Sequence, residues 1–177
     1  MTQAIRPARL QTPDLTSIMA HDPGAVIEDV ARQHGTTPRE VVAALPSFMR
    51  RFAPGSDFVA VMNEISRWGD VTLIVHTDDG IMEFTDPVAA GKVSGDYYNV
   101  MARQGFHGHL RHQRCSAIAF VQRPFMGRAS AFIAFFNAEG AIMFKVFVGR
   151  DERRELLADQ LAAFEALARR LCDSDDP

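Results

Sequence analysis

The chain has 177 residues, 47% of them apolar and 23% charged, with 12 Gly and 9 Pro. That balance belongs to a folded globular domain and excludes disordered and fibrous chains. Lys and Arg number 19 against 22 acidic residues, and the two sides become equal once Asp173, Asp175 and Asp176 are set aside, so no basic excess speaks for nucleic acid. A chain of this length buries roughly 70% of its unfolded surface and needs neither disulfide nor metal to fold. Cys115 and Cys172 have no CxxC spacing and cannot frame a secreted scaffold. No apolar stretch approaches the roughly 20 residues of a membrane span, and residues 1–15 lack a signal-like apolar run. The expectation is a soluble cytoplasmic protein.

Residues 1–20, with Pro7, Pro13 and no apolar period, read as a flexible arm. From Asp22 the pattern turns helical: Asp22 as cap, Pro23 in the first turn, then Val26, Ile27, Val30 and Ala31 up to Gly35. Thr36 or Thr37 caps a second short helix carrying Val41, Val42 and Leu45, ended by Pro46. After the Pro54–Gly55 break, Ser56 or Asp57 caps a third helix with Phe58, Val61, Met62 and Ile65 on one side, stopped by Gly69.

From Asp70 the period becomes two, or apolar throughout, as in strands. Segments 71–76 and 81–85 flank the hairpin turn Asp78-Asp79-Gly80, and a strand near Tyr97–Met101 follows a Gly91–Gly95 loop. Further strands are expected over 105–111, 115–122, 130–136 and 141–148; the run 130–136 is apolar on both alternations and belongs mid-sheet. Short turns between them favour antiparallel pairing. Asp151 is expected to cap a closing helix whose stripe is Leu156, Leu157, Leu161, Phe164, Leu167 and Leu171. The fold class is therefore α+β: N-terminal helices, a mostly antiparallel sheet and a C-terminal helix. One domain is expected over 21–172, followed by an acidic tail, 173–177.

Catalytic signatures are absent from the sequence: no GxSxG elbow, no P-loop, no GxGxxG. The helical pair 26–45 resembles a helix-turn-helix, but Arg39 stands there among Glu28, Asp29 and Glu40, which favours a packing role over DNA. Three of the six His fall in Gly105–His112, and period two puts His107, His109 and Arg111 on one face. His-x-His supplies part of a zinc site, without a third ligand nearby. His76 closes an apolar strand. Tyr97 and Tyr98, the only two tyrosines, are adjacent, so one faces a core while the other meets solvent; a phenolate is also a ligand for ferric iron. Lys145 is the sole charge of its strand, either a snorkelling lysine at a sheet edge or a cation lining a cavity. Arg103, Arg111, Arg123 and Arg128 share that region and suit a ligand carboxylate. Thirteen Phe and eight Met suit a core, and equally a flat aromatic ligand.

Trp68-Gly69-Asp70-Val71-Thr72, Val75-His76-Thr77, Tyr97-Tyr98-Asn99 and Gly108-His109-Leu110 resemble the cytosolic haem-utilisation carriers, the HutX/ChuX-like proteins. Pro124-Phe125-Met126-Gly127-Arg128-Ala129-Ser130 and Phe144–Asp151 extend the likeness, which runs from about Ile27 to Leu171. The resemblance implies a cytoplasmic, homodimeric, non-enzymatic carrier. It would accept imported haem reversibly and pass it to a downstream haem-storing or haem-degrading partner. Its fold would be related to one half of the larger haem-trafficking and haem-degrading proteins. It places iron ligation on Tyr97 and His109, with His76, Tyr98 and Lys145 as further haem-binding candidates; Asp96 stands where the family motif has glycine. Haem degradation in the same pocket is the enzymatic alternative, and neither nucleic acid nor stable membrane insertion is implied.

Overall fold

The computed structural model describes residues 14–103 and 105–172. Three short helices come first: α1 (Leu15–His21), α2 (Ile27–His34) and α3 (Pro38–Ala43). They are followed by β1 (Arg50–Pro54), α4 (Phe58–Ile65), β2 (Asp70–Thr77) and β3 (Gly80–Pro87). A small meander contains β4 (Gly91–Ser94), β5 (Tyr97–Val100) and β6 (Gly108–Leu110). The long strands β7 (Cys115–Phe125), β8 (Arg128–Asn137) and β9 (Ile142–Phe147) and the helix α5 (Ala158–Leu171) complete the chain. Six strands form a sheet in the order β1-β7-β8-β9-β2-β3, and β4-β5-β6 form a second sheet. All pairings within both sheets are antiparallel.

β8 is the centre of the molecule, as its doubly apolar alternation requires. Ala131, Ile133 and Phe135 pack with α4, α5 and Tyr98 on one face, while Phe132, Ala134 and Phe136 pack with α1–α3 on the other. Each fully buried Phe or Ile there stabilises the fold by about 1.5–3 kcal/mol. Two separate cores thus share one sheet.

Local chemistry explains most helix boundaries. Thr37 caps α3 through a reciprocal capping box with Glu40, and Gly35 closes α2 at φ +61°. Where structure and sequence expectation differ, a side-chain or packing contact decides. Residues 15–20 of the expected arm belong instead to α1: Asp14 Oδ1 accepts the Ser17 N–H at 2.8 Å and Met19 is fully buried. Asp22 caps no helix start; its Oδ1 accepts the Gly24 N–H, and α2 begins after Val26 without a side-chain cap. β1 pairs with β7 at the sheet edge, where terminal Pro54 is tolerated. Residues 91–94 form β4 instead of a loop. Asp151 Oδ1 accepts the N–H groups of Arg153 and Glu155, forming a turn, and α5 starts only at Ala158. No described helix is long and apolar enough to cross a membrane.

Candidate functional site

The sequence candidates separate onto opposite sides of the six-stranded sheet. On the outer face of the small sheet, Lys92 lies opposite Asn99, and Asn99 lies opposite His109. Tyr97 is two residues from Asn99 and shares that face. Asn99 Nδ2 donates to the Lys92 carbonyl at 3.2 Å, which turns Oδ1 toward His109 Nδ1, 2.5 Å away. An amide oxygen only accepts, so the imidazole proton sits on Nδ1 and the Nε2 lone pair is left for a metal or donor. The Tyr97 and His109 rings meet edge to face with centroids 6.2 Å apart. Arg111 Nε donates to Tyr97 Oη at 3.2 Å, with its guanidinium carbon 5.5 Å from the ring centroid.

A two-residue turn, Gly95-Asp96, joins β4 to β5, with Ser94 paired to Tyr97 and Gly95 at φ +56°. That explains why Asp96 is tolerated before Tyr97: it belongs to the turn, and its side chain is exposed. His109 is exposed and Tyr97 half-buried. The face therefore offers a phenol, an imidazole with a directed lone pair, and two cations, Lys92 and Arg111.

Tyr98 points the other way and is not part of any accessible site. It is fully buried, accepts the Gly91 N–H at 2.7 Å and donates to Asn63 Oδ1 at 3.1 Å. Burial pushes its phenol above the ordinary range. A Cβ on Gly91 would come within 2.4 Å of Tyr98 Cε1, so Gly91 is required by this packing.

His76 and Lys145 lie across the sheet, beneath α2. Lys145 is not at a sheet edge: β9 runs between β8 and β2, and its Nζ donates to Glu28 Oε1 at 2.6 Å. His76 Nδ1 is 3.4 Å from the same oxygen. These groups border a cavity of about 120 Å³ walled by Val26, Ile74, Phe125, Phe132 and Phe147. Arg123 enters it from β7 and donates through Nη1 to the Pro23 and Ala25 carbonyls, the latter at 2.7 Å. Burial pushes its guanidinium down to about 10.

Glu28 and Arg123 organise this cavity; the sequence marked Arg123 only as one of four arginines suited to a ligand carboxylate, and marked Glu28 for no site. Arg123 was legible in principle, because it continues the inward alternation of Ala119 and Val121. Glu28 carried no such signal, since it follows the buried Ile27 on a helix with ordinary surface acids.

The remaining candidates acquire no site. Arg39 N–H donates to the Gly140 carbonyl, and α3 packs on the sheet through Val41 and Val42. Cys115 is buried and its thiol is pushed up to about 11 by desolvation, so it carries little thiolate at neutral pH. Among the described residues, no three or more His, Cys, Asp or Glu gather as a metal site.

A model of the haem utilisation ChuX/HutX family matches residues 51–167. The intracellular heme transport protein HutX of Vibrio cholerae is 38% identical over 154 residues, spanning 86% of this chain and 80% of the relative. The solved structure of the heme-binding protein ChuX superposes with a TM-score of 0.81 at 39% identity, over 89% of this chain and 98% of that one. PhuS of Pseudomonas aeruginosa has the same fold across 49% of its length, with a TM-score of 0.73 at 15% identity.

Proposed function

The chain belongs to the haem utilisation ChuX/HutX family, and from that premise we propose that it carries haem reversibly, with the Tyr97–His109 face as the iron-binding surface. What supports this is one observation: Arg111 holds the phenol oxygen of Tyr97 beside an imidazole whose Nε2 is left free by Asn99. A hydrogen bond from a guanidinium stabilises the anionic charge a phenolate carries when bound to ferric iron. The Asn99 acceptor plays the orienting part that partner groups play for metal-ligating histidines. Lys92 supplies a cation for a haem carboxylate.

Openness suits transfer. A ligand held on a half-exposed strand face can be approached by a second protein, whereas an enclosed site would slow release. Catalytic degradation needs a closed centre that controls the access of water and protons to the reacting iron, and an exposed imidazole on a three-stranded sheet does not provide that. The reading is therefore a non-enzymatic, cytoplasmic carrier that hands haem to an acceptor protein. His76 and Lys145 meet Glu28 on the far side of the sheet; the cavity that both border is about 120 Å³, below the ~300–1,000 Å³ of ordinary ligand pockets, and His76 also lines an open groove of about 500 Å³ beside Arg32 and Thr77.

A second copy of the chain is the partner that β3 favours. This eight-residue strand is at the sheet edge, with Ile81, Met82 and Phe84 exposed by 58%, 47% and 37%. Unpaired backbone groups beside exposed apolar side chains are a template for pairing.

Titration of the purified protein with haemin, followed in the Soret and visible bands, tests the assignment. Saturation near one haem per chain, with a charge-transfer band that shifts in Tyr97→Phe, is expected. Wild-type spectra in Tyr97→Phe together with loss of haem in His109→Ala would transfer ligation to histidine. Bleaching of the haem with ascorbate would oppose the carrier reading.

A further inference from the structure

The cavity beneath α2 contains an unbalanced set of buried charges that the haem-carrier reading does not use. Arg123 and Lys145 are 7% and 8% exposed, and the Glu28 carboxylate is the buried anion they share. Glu28 spends one oxygen on Lys145 and His76, while its Oε2 is buried without a partner. Arg123 Nε is likewise buried and unpartnered. Its guanidinium contacts backbone carbonyls and lies 5.7 Å from the ring centroids of Phe125 and Phe132. Buried polar atoms are nearly always hydrogen-bonded, so an orphaned guanidinium N–H bordering a cavity asks for an acceptor.

We propose that this cavity is a second ligand site, which takes a small monocarboxylate with an aliphatic tail. The carboxylate completes the hydrogen bonding of Arg123 and offsets the second buried cation. The tail fills the space between Phe132, Phe147 and Ile74. The cavity, about 120 Å³, compares with the roughly 150 Å³ cavity that admits benzene, which limits the tail to a few carbons. Val26 and Ile27, the cap and the first residue of α2, form part of the wall, so occupancy also fastens α2 to the sheet. The site lies across the sheet from Tyr97 and does not depend on haem binding there.

Fluorine NMR titration with 3,3,3-trifluoropropionate tests this, with 3,3,3-trifluoropropan-1-ol as the same tail without the charge. Saturable binding of the acid, at least tenfold tighter than the alcohol, is expected. Val26→Trp, at a half-buried position on the cavity wall, and Ser130→Leu, which fills the interior, should each weaken it at least fivefold, whereas Tyr97→Phe should leave it unchanged. Val26→Trp keeps the test valid if Ser130→Leu fails to fold. Equal binding of acid and alcohol, an unchanged affinity in the folded wall variant, or no saturable shift would overturn the proposal, the last outcome marking a cavity that holds water alone.

Discussion

On one side of the six-stranded sheet, Tyr97 and His109 stand on an open strand surface, each oriented by a neighbour and each with an atom left for a ligand. On the other side, His76 and Lys145 converge on a single buried oxygen of Glu28. The residue types are alike; their surroundings are opposite. Exposed groups keep their solvation and cost little to hold ready, whereas the buried cluster must be internally paired or it destabilises the fold. Residues of one chemical class therefore form a binding surface on one face and a structural clamp on the other.

The largest effect expected from this contrast is in the clamp. Lys145→Met leaves Glu28 beneath α2 without its cation and should lower unfolding stability by about 3–5 kcal/mol, read from urea melts. Adding Glu28→Gln removes the stranded charge and should restore a good part of the loss, because the two sites are coupled. A single-variant loss below about 1 kcal/mol would show the pair to be solvated, and the two faces to be alike.

Tyr98 sharpens the contrast within two adjacent residues. Tyr98→Phe strands the Gly91 N–H and Asn63, at a cost of about 1–3 kcal/mol, yet the haemin spectrum should stay as in wild type. A changed spectrum with unchanged stability would reverse the roles of the two tyrosines.

Period two announced that reversal, since adjacent strand residues must face apart; it could not say which tyrosine faced the core. That was decided by contacts far apart in sequence, Phe58 and Asn63 of α4 and the Gly91 approach. Strands β2, β3 and β5–β9 were legible for the same reason that β8 was: alternation and apolar runs are local signals. β1 and β4 escaped because Arg50-Arg51 and Gly91-Lys92 carry no period, and their strand state is imposed by β7 and β5. The Glu28–Lys145 contact spans 117 residues, a separation at which a single sequence gives no pairing signal.

On the open face the expected effects are smaller. Tyr97→Phe should weaken ferric haem binding about tenfold or more, roughly 1.4 kcal/mol, and move the charge-transfer band. Arg111→Met should move the same band and weaken binding by about three- to tenfold, since it removes a donor to the ligand oxygen and not the ligand itself. If Arg111→Met alters affinity while the band stays fixed, Arg111 contacts haem carboxylates and does not support the phenol.

The mildest test uses pH on the face shared with Tyr98. Cys115 is 8% exposed, and its thiol is raised from 9.0 to about 11 because burial disfavours the thiolate. Between those values the unfolded chain has released this proton while the folded chain still holds it, so the folded state binds more protons and stability falls as pH rises. The thiol's contribution is fully present below about pH 9 and is lost as pH climbs through about 11. Cys115→Ala lacks the group, so its stability should decline less steeply than wild type over that interval, whatever its baseline. Urea midpoints at pH 8, 9 and 10 measure the slope. Parallel declines in the two proteins would mean that the Cys115 thiolate is solvated in the folded state, and that the core around Tyr98 is wetter than its packing shows.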